Sequence, residues 1–248
     1  MVKVSRSIVP SFFTVGNMFL GFFSIISAYR GESTRAAWML FFAAFLDAMD
    51  GKIARFTSSA SRFGVEYDSL ADVVSFGLAP SFLIYTLYLK DWGTTGLFLS
   101  FLPLLFGSIR LARFNIQVKE FSKTHFIGFP IPAAALTLSS FVIFSQHYFE
   151  IPVKYPKIML ILIIIVSILM VSTIRYEVLP VLKFNRTWGD RLKLILSIIV
   201  VLALITFPHQ LLFPLAICYM ISGPLRWLII ASKGELTMED HAKGEGKN

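Results

Sequence analysis

The segment DAMDGKIARFTSSASRFGVEYDSLAD, from Asp47 to Asp72, carries four aspartates between two long apolar runs. Its pattern is D-x2-D-G-x2-A-R-x8-G-x3-D-x3-D, in which the aspartates are Asp47, Asp50, Asp68 and Asp72. A carboxylate at the centre of a membrane helix costs roughly 2.5 to 3.5 kcal/mol. Four of them in one short segment therefore indicate a functional site where the chain leaves and re-enters a membrane.

The composition around this segment is that of a membrane protein. The chain has 248 residues, of which 56% are hydrophobic and 15% charged, and its mean hydropathy is +0.71. The net charge of +8 comes from basic residues scattered between apolar spans, which speaks against a nucleic-acid partner. Cys218 is the single cysteine, so an intrachain disulfide and a cysteine-based metal cluster are excluded.

The apolar runs predict an all-α, polytopic membrane protein with about eight transmembrane helices. Each run is long enough to cross about 30 Å of hydrocarbon. The predicted spans are 10–29, 35–56, 66–89, 94–115, 129–149, 156–174, 190–207 and 209–231. Few residues separate the last two runs, so a re-entrant hairpin stays open as an alternative to two spans.

The distribution of basic residues predicts the orientation of these helices. With the N-terminus in the cytoplasm, eighteen Lys and Arg residues lie on the cytoplasmic side and five on the other side. Both termini are therefore expected in the cytoplasm, in a multi-pass protein of the cell membrane. Residues 1–9 are predicted to form an interfacial lead-in, 10–231 the transmembrane catalytic domain, and 232–248 a cytoplasmic tail.

This orientation brings both aspartate pairs to the cytoplasmic edge of the membrane. Asp47, Asp50, Gly51 and Ala54 follow an i, i+3, i+4, i+7 spacing and share one face of the second helix. Asp68 and Asp72 share a face of the third helix in the same way. Four neighbouring carboxylates need cations to remain charged together. Hard divalent ions such as Mg²⁺, Mn²⁺ or Ca²⁺ prefer oxygen ligands, and a diphosphate substrate suits such a site.

The other motif residues have two possible roles each. Gly51, Ala54 and Gly64 are small enough to let a base or a phosphate approach the backbone, or they serve close helix packing. Arg55 is able to bind phosphate oxygens, or it anchors the helix at the membrane surface. The combination with four aspartates favours the substrate-binding roles.

The complete pattern resembles the motif of the CDP-alcohol phosphotransferases, and no motif position departs from it. These membrane enzymes transfer a phosphoalcohol from a CDP-linked donor to an acceptor hydroxyl and release CMP. The resemblance covers the first two thirds of the chain. It implies a six-helix core, here at about 10–174, with additional helices at about 190–231, and it implies a homodimer.

The resemblance also implies roles for the motif residues. Two divalent metal ions, Mg²⁺ or Mn²⁺, would be bound by Asp47, Asp50, Asp68 and Asp72. Asp72 would also act as the base for the acceptor hydroxyl. The residues expected to contact the CDP nucleotide or its diphosphate are Gly51, Ala54, Arg55 and Gly64.

Three further stretches resemble the integral-membrane phosphatidylserine synthases within this family. They are PSFFTVGNMFLG at 10–21, RLARFN at 110–115 and FIGFPIPAAA at 126–135. Arg110 and Arg113 are i, i+3 neighbours that could bind a carboxylate or lipid phosphate in one pocket, or anchor the helix. Asn115 closes the same helix and is a further candidate substrate ligand. Asn17 could bind phosphate or nucleotide, or form a bond between helices.

The expected reaction is transfer of a phosphatidyl group from CDP-diacylglycerol to L-serine, which yields phosphatidylserine and CMP. Rival acceptors within the family are glycerol 3-phosphate, inositol phosphate and choline, and an archaeal donor lipid would give archaetidylserine. From other classes, a divalent-cation transporter and a catalytically silent lipid-binding protein stay open. A transporter would place its charges deeper in the helix bundle.

Overall fold

The computed structural model describes residues 11–57, 62–117, 126–149, 156–176, 199–200 and 202–232. These residues are almost entirely helical, which confirms the all-α prediction. A two-residue strand β1 (Phe126–Ile127) pairs antiparallel with β2 (Arg175–Tyr176). The helices are α1 (Phe12–Tyr29), α2 (Ser33–Thr57), α3 (Arg62–Asp72), α4 (Ala79–Ile84), α5 (Gly93–Gln117), α6 (Ile131–Phe149), α7 (Pro156–Val171) and α8 (Pro208–Ser232).

The first two helices form an antiparallel hairpin, and the buried side of α1 consists of small and polar residues. Gly31 has a positive φ of 80°, which glycine tolerates, and it lies in the connection between the helices. Phe19 and Phe22 on α1 are exposed. The buried stripe of α1 consists instead of Thr14, Asn17, Gly21, Ser24, Ser27 and Ala28. Small and polar residues inside, with large apolar residues outside, are typical of helices that pack within lipid.

The helical stretch from α3 to Trp92 contains two π-helical segments. Directly after Asp72, the π-helical segment Val73–Leu78 leads into α4, which carries Pro80 in its first turn. A second π-helical segment, Tyr85–Leu89, and a short 3₁₀ helix, Lys90–Trp92, follow. Gly93, with a φ of 56°, then turns the chain into α5. Such π segments occur often at functional sites.

The core lies where α1, α2 and α4–α7 pack together, and α8 covers one side of it. Large side chains that are almost completely buried there include Leu40, Phe76, Leu83, Phe129, Leu138 and Ile163. Beside this core, the β1–β2 pair joins the chain entering α6 to the chain leaving α7. Tyr176 of β2 contacts α8: its hydroxyl donates a hydrogen bond of 2.9 Å to the Met220 carbonyl.

Among the described residues, three helical stretches are long and apolar enough to cross a membrane. They are Phe12–Tyr29, Phe63–Ile116 and Pro208–Ser232. The second contains Gly93, which divides it into the two helices that the sequence predicts there. α7 is also apolar but shorter. The predicted number of eight spans stays a prediction, since most of the span at 190–207 lies outside the described residues.

Two other predicted segments fall outside the described part of the chain. The interfacial lead-in at 1–9 belongs to the undescribed residues 1–10, and the tail at 232–248 is undescribed from 233 onward. The last predicted span, 209–231, coincides with α8, which begins at Pro208 and continues as one helix of 25 residues.

Candidate metal and substrate site

The N-terminal end of α1 binds the second aspartate of the motif. Ser11 is the N-cap residue, and its Oγ accepts a hydrogen bond from the Thr14 amide. The Ser11 hydroxyl also donates to Asp50 Oδ1 at 2.6 Å, while the Thr14 hydroxyl donates to Asp50 Oδ2 at 2.5 Å. Both carboxylate oxygens of Asp50 are thus bound by hydroxyl groups of α1.

The other three aspartates of the motif meet at the interface of α2 and α3. Asp47, Asp68 and Asp72 each present one carboxylate oxygen, and these three oxygens lie within 4.8 Å of one another. Asp72 is buried, with 8% of its surface exposed, and the other two are half-buried. The structure therefore brings three of the four predicted ligands into one cluster, while Asp50 is bound to α1.

The donor set in this cluster fits a hard divalent cation. Asp68 Oδ1 is buried and has no hydrogen-bond partner among the described residues. A buried polar atom without a partner costs about 1–3 kcal/mol, and more when the group is charged. Bonds from carboxylate oxygens to Mg²⁺, Mn²⁺ or Ca²⁺ would remove this cost. The three aspartates are therefore able to bind a divalent metal ion.

Asn17 connects α1 to the most buried member of the cluster. Its Nδ2 donates a hydrogen bond of 3.3 Å to Asp72 Oδ1, and its backbone carbonyl accepts one of 2.9 Å from the Ser75 hydroxyl. Asn17 has no exposed surface. The π-helical segment that contains Ser75 is thereby joined to α1 just beyond Asp72. Asn17 therefore forms a bond between helices, which is one of the two roles that the sequence predicts for it.

Arg110 of α5 is a buried cation beside the cluster. Only 7% of its surface is exposed, and its Nε has no hydrogen-bond partner among the described residues. Arg110 is close enough to Asp72 and to Tyr219 of α8 for electrostatic interaction with both. A buried guanidinium group with unused donor capacity is suited to bind a carboxylate or phosphate.

The two neighbouring candidates on α5 have partners within the protein. Arg113 Nη1 donates a hydrogen bond of 2.9 Å to the carbonyl of Val171, the last residue of α7. A cation at this position stabilises the negative end of the α7 dipole. Asn115 Nδ2 donates to Ser69 Oγ at 3.0 Å and so joins α5 to α3. Arg113 thus has a partner within the protein, and the prediction that both arginines bind a ligand in one pocket stays a prediction.

The small residues of the motif belong to the two helices that carry the clustered aspartates. Gly51 is exposed, and a Cβ atom built on it would meet no atom of the described residues within 4 Å, so the space beside it is open in this part of the structure. Gly64 is half-buried on α3. Ala54 and Arg55 belong to α2, but their side chains are outside the described part of the structure.

Three residues near the site were not predicted from the sequence as site residues. Ser11 and Thr14 bind Asp50, and Tyr219 lies near Arg110. The spacing of Ser11, Thr14 and Asn17 offers a signal, because polar residues three positions apart lie on the same side of a helix. Tyr219 offers no such signal, since it is far from the motif in sequence.

Comparison with known proteins finds a family model that matches the part of the chain forming this site. The family model for CDP-alcohol phosphatidyltransferases matches residues 7–169, which include the whole aspartate motif and extend through most of α7. Membership of a membrane-enzyme family, together with the three apolar helical stretches, makes the chain an integral membrane protein.

Curated relatives are similar over most of this chain. A CDP-diacylglycerol--serine O-phosphatidyltransferase of Helicobacter pylori is 38% identical over 90% of this chain and 92% of its own length. The protein of that name in Mycobacterium tuberculosis is 28% identical over 91% of this chain and 82% of its own. An archaetidylserine synthase of Methanothermobacter thermautotrophicus is 35% identical over 68% of this chain and 69% of its own.

Proposed function

Because the chain belongs to the CDP-alcohol phosphatidyltransferase family, we propose that it transfers the phosphatidyl group of CDP-diacylglycerol to the hydroxyl of L-serine. The other product is CMP. The structural observation that carries this proposal is the position of a buried cation, Arg110, beside the cluster of three carboxylates. The names of the H. pylori and M. tuberculosis relatives support serine as the acceptor.

The metal-binding role is assigned to the four aspartates. Asp47, Asp68 and Asp72 would bind divalent metal through the oxygens that already lie within 4.8 Å of one another. Asp50 completes the set of four for a site with two ions. When bound, Mg²⁺ or Mn²⁺ would neutralise the diphosphate and stabilise CMP as it leaves. Activity assays with Mg²⁺, Mn²⁺ and Ca²⁺ compared in parallel identify the ion.

The donor nucleotide is assigned to the open space beside Gly51 on α2. The space beside Gly51 admits a planar base or a phosphate close to the backbone. Gly64 on α3 and Ala54 on α2 would border the same space, and Arg55 would bind the diphosphate. The acyl chains of a lipid donor can then stay in the bilayer.

Activation of the acceptor is assigned to Asp72. This carboxylate would accept the proton of the serine hydroxyl as the oxygen attacks phosphorus. The hydrogen bond from Asn17 to Asp72 Oδ1 holds the side chain in one orientation and leaves Oδ2 for this role. Direct in-line displacement inverts the configuration at phosphorus. A chiral phosphorothioate donor measures this, and retention would contradict the direct mechanism.

Recognition of the acceptor is assigned to Arg110 and not to Arg113. Arg110 has an unpaired, buried Nε, whereas Arg113 already binds the α7 carbonyl at Val171. The carboxylate of serine is a suitable partner for such a guanidinium group. Glycerol 3-phosphate and inositol phosphate bring phosphates that Arg110 could also bind, while choline brings no anion. Serine fits both this charge and the names of the relatives.

The donor lipid has one specific alternative. The M. thermautotrophicus relative is named for archaetidylserine, so a chain with the same acceptor can be similar to proteins with different donor lipids. A comparison of CDP-diacylglycerol with a CDP-activated archaeal ether lipid at saturating serine decides between them.

The experiment that tests the function is CMP release by the purified full-length chain in lipid vesicles. CDP-diacylglycerol and Mg²⁺ or Mn²⁺ are supplied with serine, glycerol 3-phosphate, inositol phosphate or choline. We expect CMP release to depend on serine and phosphatidylserine to appear in equal amount. No CMP with serine, but CMP with another acceptor, would reassign the enzyme within its family.

The same vesicles test the transporter alternative. A divalent-cation transporter would move metal across the membrane in the absence of CDP-diacylglycerol. We expect no such flux, because the aspartates are proposed to lie at the cytoplasmic edge, where a water-soluble acceptor and a lipid donor can meet. Labelling of single cysteines introduced near each terminus tests the proposed cytoplasmic orientation. The mass of the detergent-solubilised protein tests the proposed homodimer.

A further inference from the structure

We propose that Ser11 and Thr14 of α1 are positioning residues that hold Asp50 as a ligand for the second divalent ion of the site. This inference rests on the proposed function, since it concerns the metal ions of the same reaction. It assigns a task to the first turn of α1, a helix that has no charged side chain of its own. The hydroxyl groups of this turn would then determine how tightly the second ion is bound.

Both carboxylate oxygens of Asp50 are held by the first turn of α1. The Ser11 hydroxyl donates to Asp50 Oδ1 at 2.6 Å, and the Thr14 hydroxyl donates to Oδ2 at 2.5 Å. A hydroxyl group has one hydrogen to donate, so the donor capacity of both groups is spent on Asp50. Two bonds to two different oxygens fix the plane of the carboxylate as well as its position, which a single bond would not do.

The turn that carries these hydroxyl groups is itself well ordered. Ser11 is the N-cap residue of α1, and its Oγ accepts a hydrogen bond of 3.1 Å from the Thr14 amide. The Ser11 carbonyl accepts another of 3.1 Å from the Val15 amide, and Thr14 is buried. The positive end of the helix dipole is also favourable for a carboxylate at this place. Asp50 therefore meets a set of donors whose positions are fixed by the helix.

Close packing further along α1 fixes how this helix is rotated. Gly21 lies so near the π-helical segment after Asp72 that a Cβ atom on it would be 2.6 Å from Ser75 Cα. The Ser75 hydroxyl donates a hydrogen bond of 2.9 Å to the Asn17 carbonyl. Helices with interfaces of small residues approach each other closely and have little room to rotate. The hydroxyl groups at the start of α1 are thereby fixed relative to Asp72.

One side of α1 contacts aspartates from two different helices. Thr14 binds Asp50 of α2, and Asn17, three positions later on the same side, donates to Asp72 at the end of α3. The two aspartates are therefore both connected to one rigid helix. This arrangement sets the position of Asp50 relative to the rest of the site independently of the connection between α2 and α3.

Asp50 is held apart from the aspartates whose oxygens converge. Among the described residues, the group with carboxylate oxygens within 4.8 Å of one another consists of Asp47, Asp68 and Asp72. Asp50 follows Asp47 by three positions and so lies on the same face of α2. Its bonds to α1 oppose a turn of the carboxylate toward an ion bound by the other three. Asp50 is thus kept as a ligand for a second ion.

Hydroxyl groups can orient a carboxylate without preventing it from binding metal. Each carboxylate oxygen has two lone pairs, of which Ser11 or Thr14 uses one. A neutral hydroxyl also leaves the negative charge of Asp50 in place, whereas a lysine or arginine would neutralise it. Hydrogen bonds of this kind to metal-binding carboxylates typically change metal affinity by about 10- to 100-fold. Their loss should therefore weaken binding of the second ion.

The test measures binding of Mn²⁺ alone to the purified full-length chain, by the electron paramagnetic resonance signal of free Mn²⁺. We expect two ions per wild-type chain. In Thr14→Val, which keeps the shape but not the hydroxyl, we expect one ion to bind as in the wild type and the other about ten-fold more weakly. Thr14→Ser keeps the hydroxyl and should bind both ions normally. The Mn²⁺ concentration needed for CMP release should rise only in Thr14→Val.

Thr137→Val is the matched control for loss of a buried threonine hydroxyl. Thr137 is buried on α6, and its hydroxyl donates a hydrogen bond of 2.8 Å to the Ala133 carbonyl. Any loss of stability should be similar in Thr137→Val and Thr14→Val, whereas Mn²⁺ binding should change only in the latter. Equal effects of the two variants on Mn²⁺ binding would overturn the proposal.

A double variant tests whether Thr14 acts through Asp50. Asp50→Asn should weaken the second ion by itself, and Thr14→Val should have little further effect in that background, because the two residues act as one unit. Independent, multiplying effects would overturn the proposal, and so would unchanged or tighter Mn²⁺ binding in Thr14→Val alone. A wild type that binds a single ion would overturn the assignment of Asp50 to a second one. Failure of the wild type to release CMP with serine would instead overturn the proposed function.

Discussion

Asn17 Nδ2 donates a hydrogen bond of 3.3 Å to Asp72 Oδ1 across the buried contact between α1 and α3. The two residues are 55 positions apart in the chain, and both are buried. This bond fixes the orientation of the carboxylate that is proposed both to bind metal and to accept the acceptor proton. It makes α1 part of the site although α1 carries none of the four aspartates.

Replacement of Asn17 should lower kcat strongly and have a smaller effect on the stability of the fold. In Asn17→Ala, Asp72 loses its orienting partner, and we expect kcat to fall about ten- to hundred-fold, since small misplacements at a reacting centre are costly. Ser24→Ala is the matched control. Ser24 is buried on the same face of α1, and its hydroxyl donates a hydrogen bond of 2.8 Å to the Ala36 carbonyl, away from the site. Equal losses of activity in the two variants would contradict the orienting role.

Asp72→Asn should keep the fold and abolish turnover. The amide has the same shape but neither the charge that binds metal nor the basicity that accepts a proton, so we expect a loss of about 10²–10⁴-fold. The melting temperature should not fall, because a buried charge is removed. The exposed Asp91→Asn serves as the control and should behave as the wild type. Activity of Asp72→Asn near the wild-type value would refute its role.

Divalent metal should stabilise the folded protein through the three clustered carboxylates. A ligand present at a hundred times its dissociation constant adds about 2.7 kcal/mol to the free energy of unfolding. We expect Mg²⁺ or Mn²⁺ to raise the melting temperature of the wild type and to lose this effect in Asp47→Asn and Asp68→Asn. Glu32→Gln removes an exposed carboxylate that pairs with Arg35, and it should leave the metal effect intact. A chelator should reverse the stabilisation.

Gly51→Ala should affect binding of CDP-diacylglycerol without disturbing the packing of the protein. A Cβ atom at Gly51 meets no atom of the described residues within 4 Å, and alanine is the better helix former, so the melting temperature should not fall. If the CDP group occupies this space, the added methyl group should raise the KM for CDP-diacylglycerol several-fold. Gly21→Ala is the contrasting variant, because its Cβ atom would lie 2.6 Å from Ser75 Cα and should destabilise the fold. Unchanged donor binding in Gly51→Ala would remove this residue from the nucleotide site.

Of the two arginines of α5, Arg110 should mainly affect serine binding and Arg113 should mainly affect stability. Arg110→Ala should raise the KM for serine more than that for CDP-diacylglycerol. Arg113→Ala removes the bond to the Val171 carbonyl and should mainly lower stability, by about 0.5–1.5 kcal/mol. Steady-state kinetics and thermal unfolding in the same detergent measure both effects. A larger rise in serine KM for Arg113→Ala than for Arg110→Ala would reverse the assignment.

Helical spacing explains which parts of the site were predictable. The i, i+4 relation of Asp68 and Asp72 holds along a single helix whatever lies around it, so their common face follows from the sequence. The binding of Asp50 by Ser11 and Thr14 does not follow, because it depends on how α1 is rotated against α2. The same limit applies to Arg113, whose partner is a backbone carbonyl that no side-chain pattern can indicate.

The sequence by itself determined that this is an all-α membrane protein of a known transferase family, because apolar length and the spaced motif are properties of the linear chain. Only the tertiary structure decided that Asp47 joins Asp68 and Asp72, that Asn17 binds Asp72, and that Tyr219 comes near Arg110. These contacts join helices far apart in sequence. Their geometry depends on helix rotation and depth, which packing sets and local sequence does not encode.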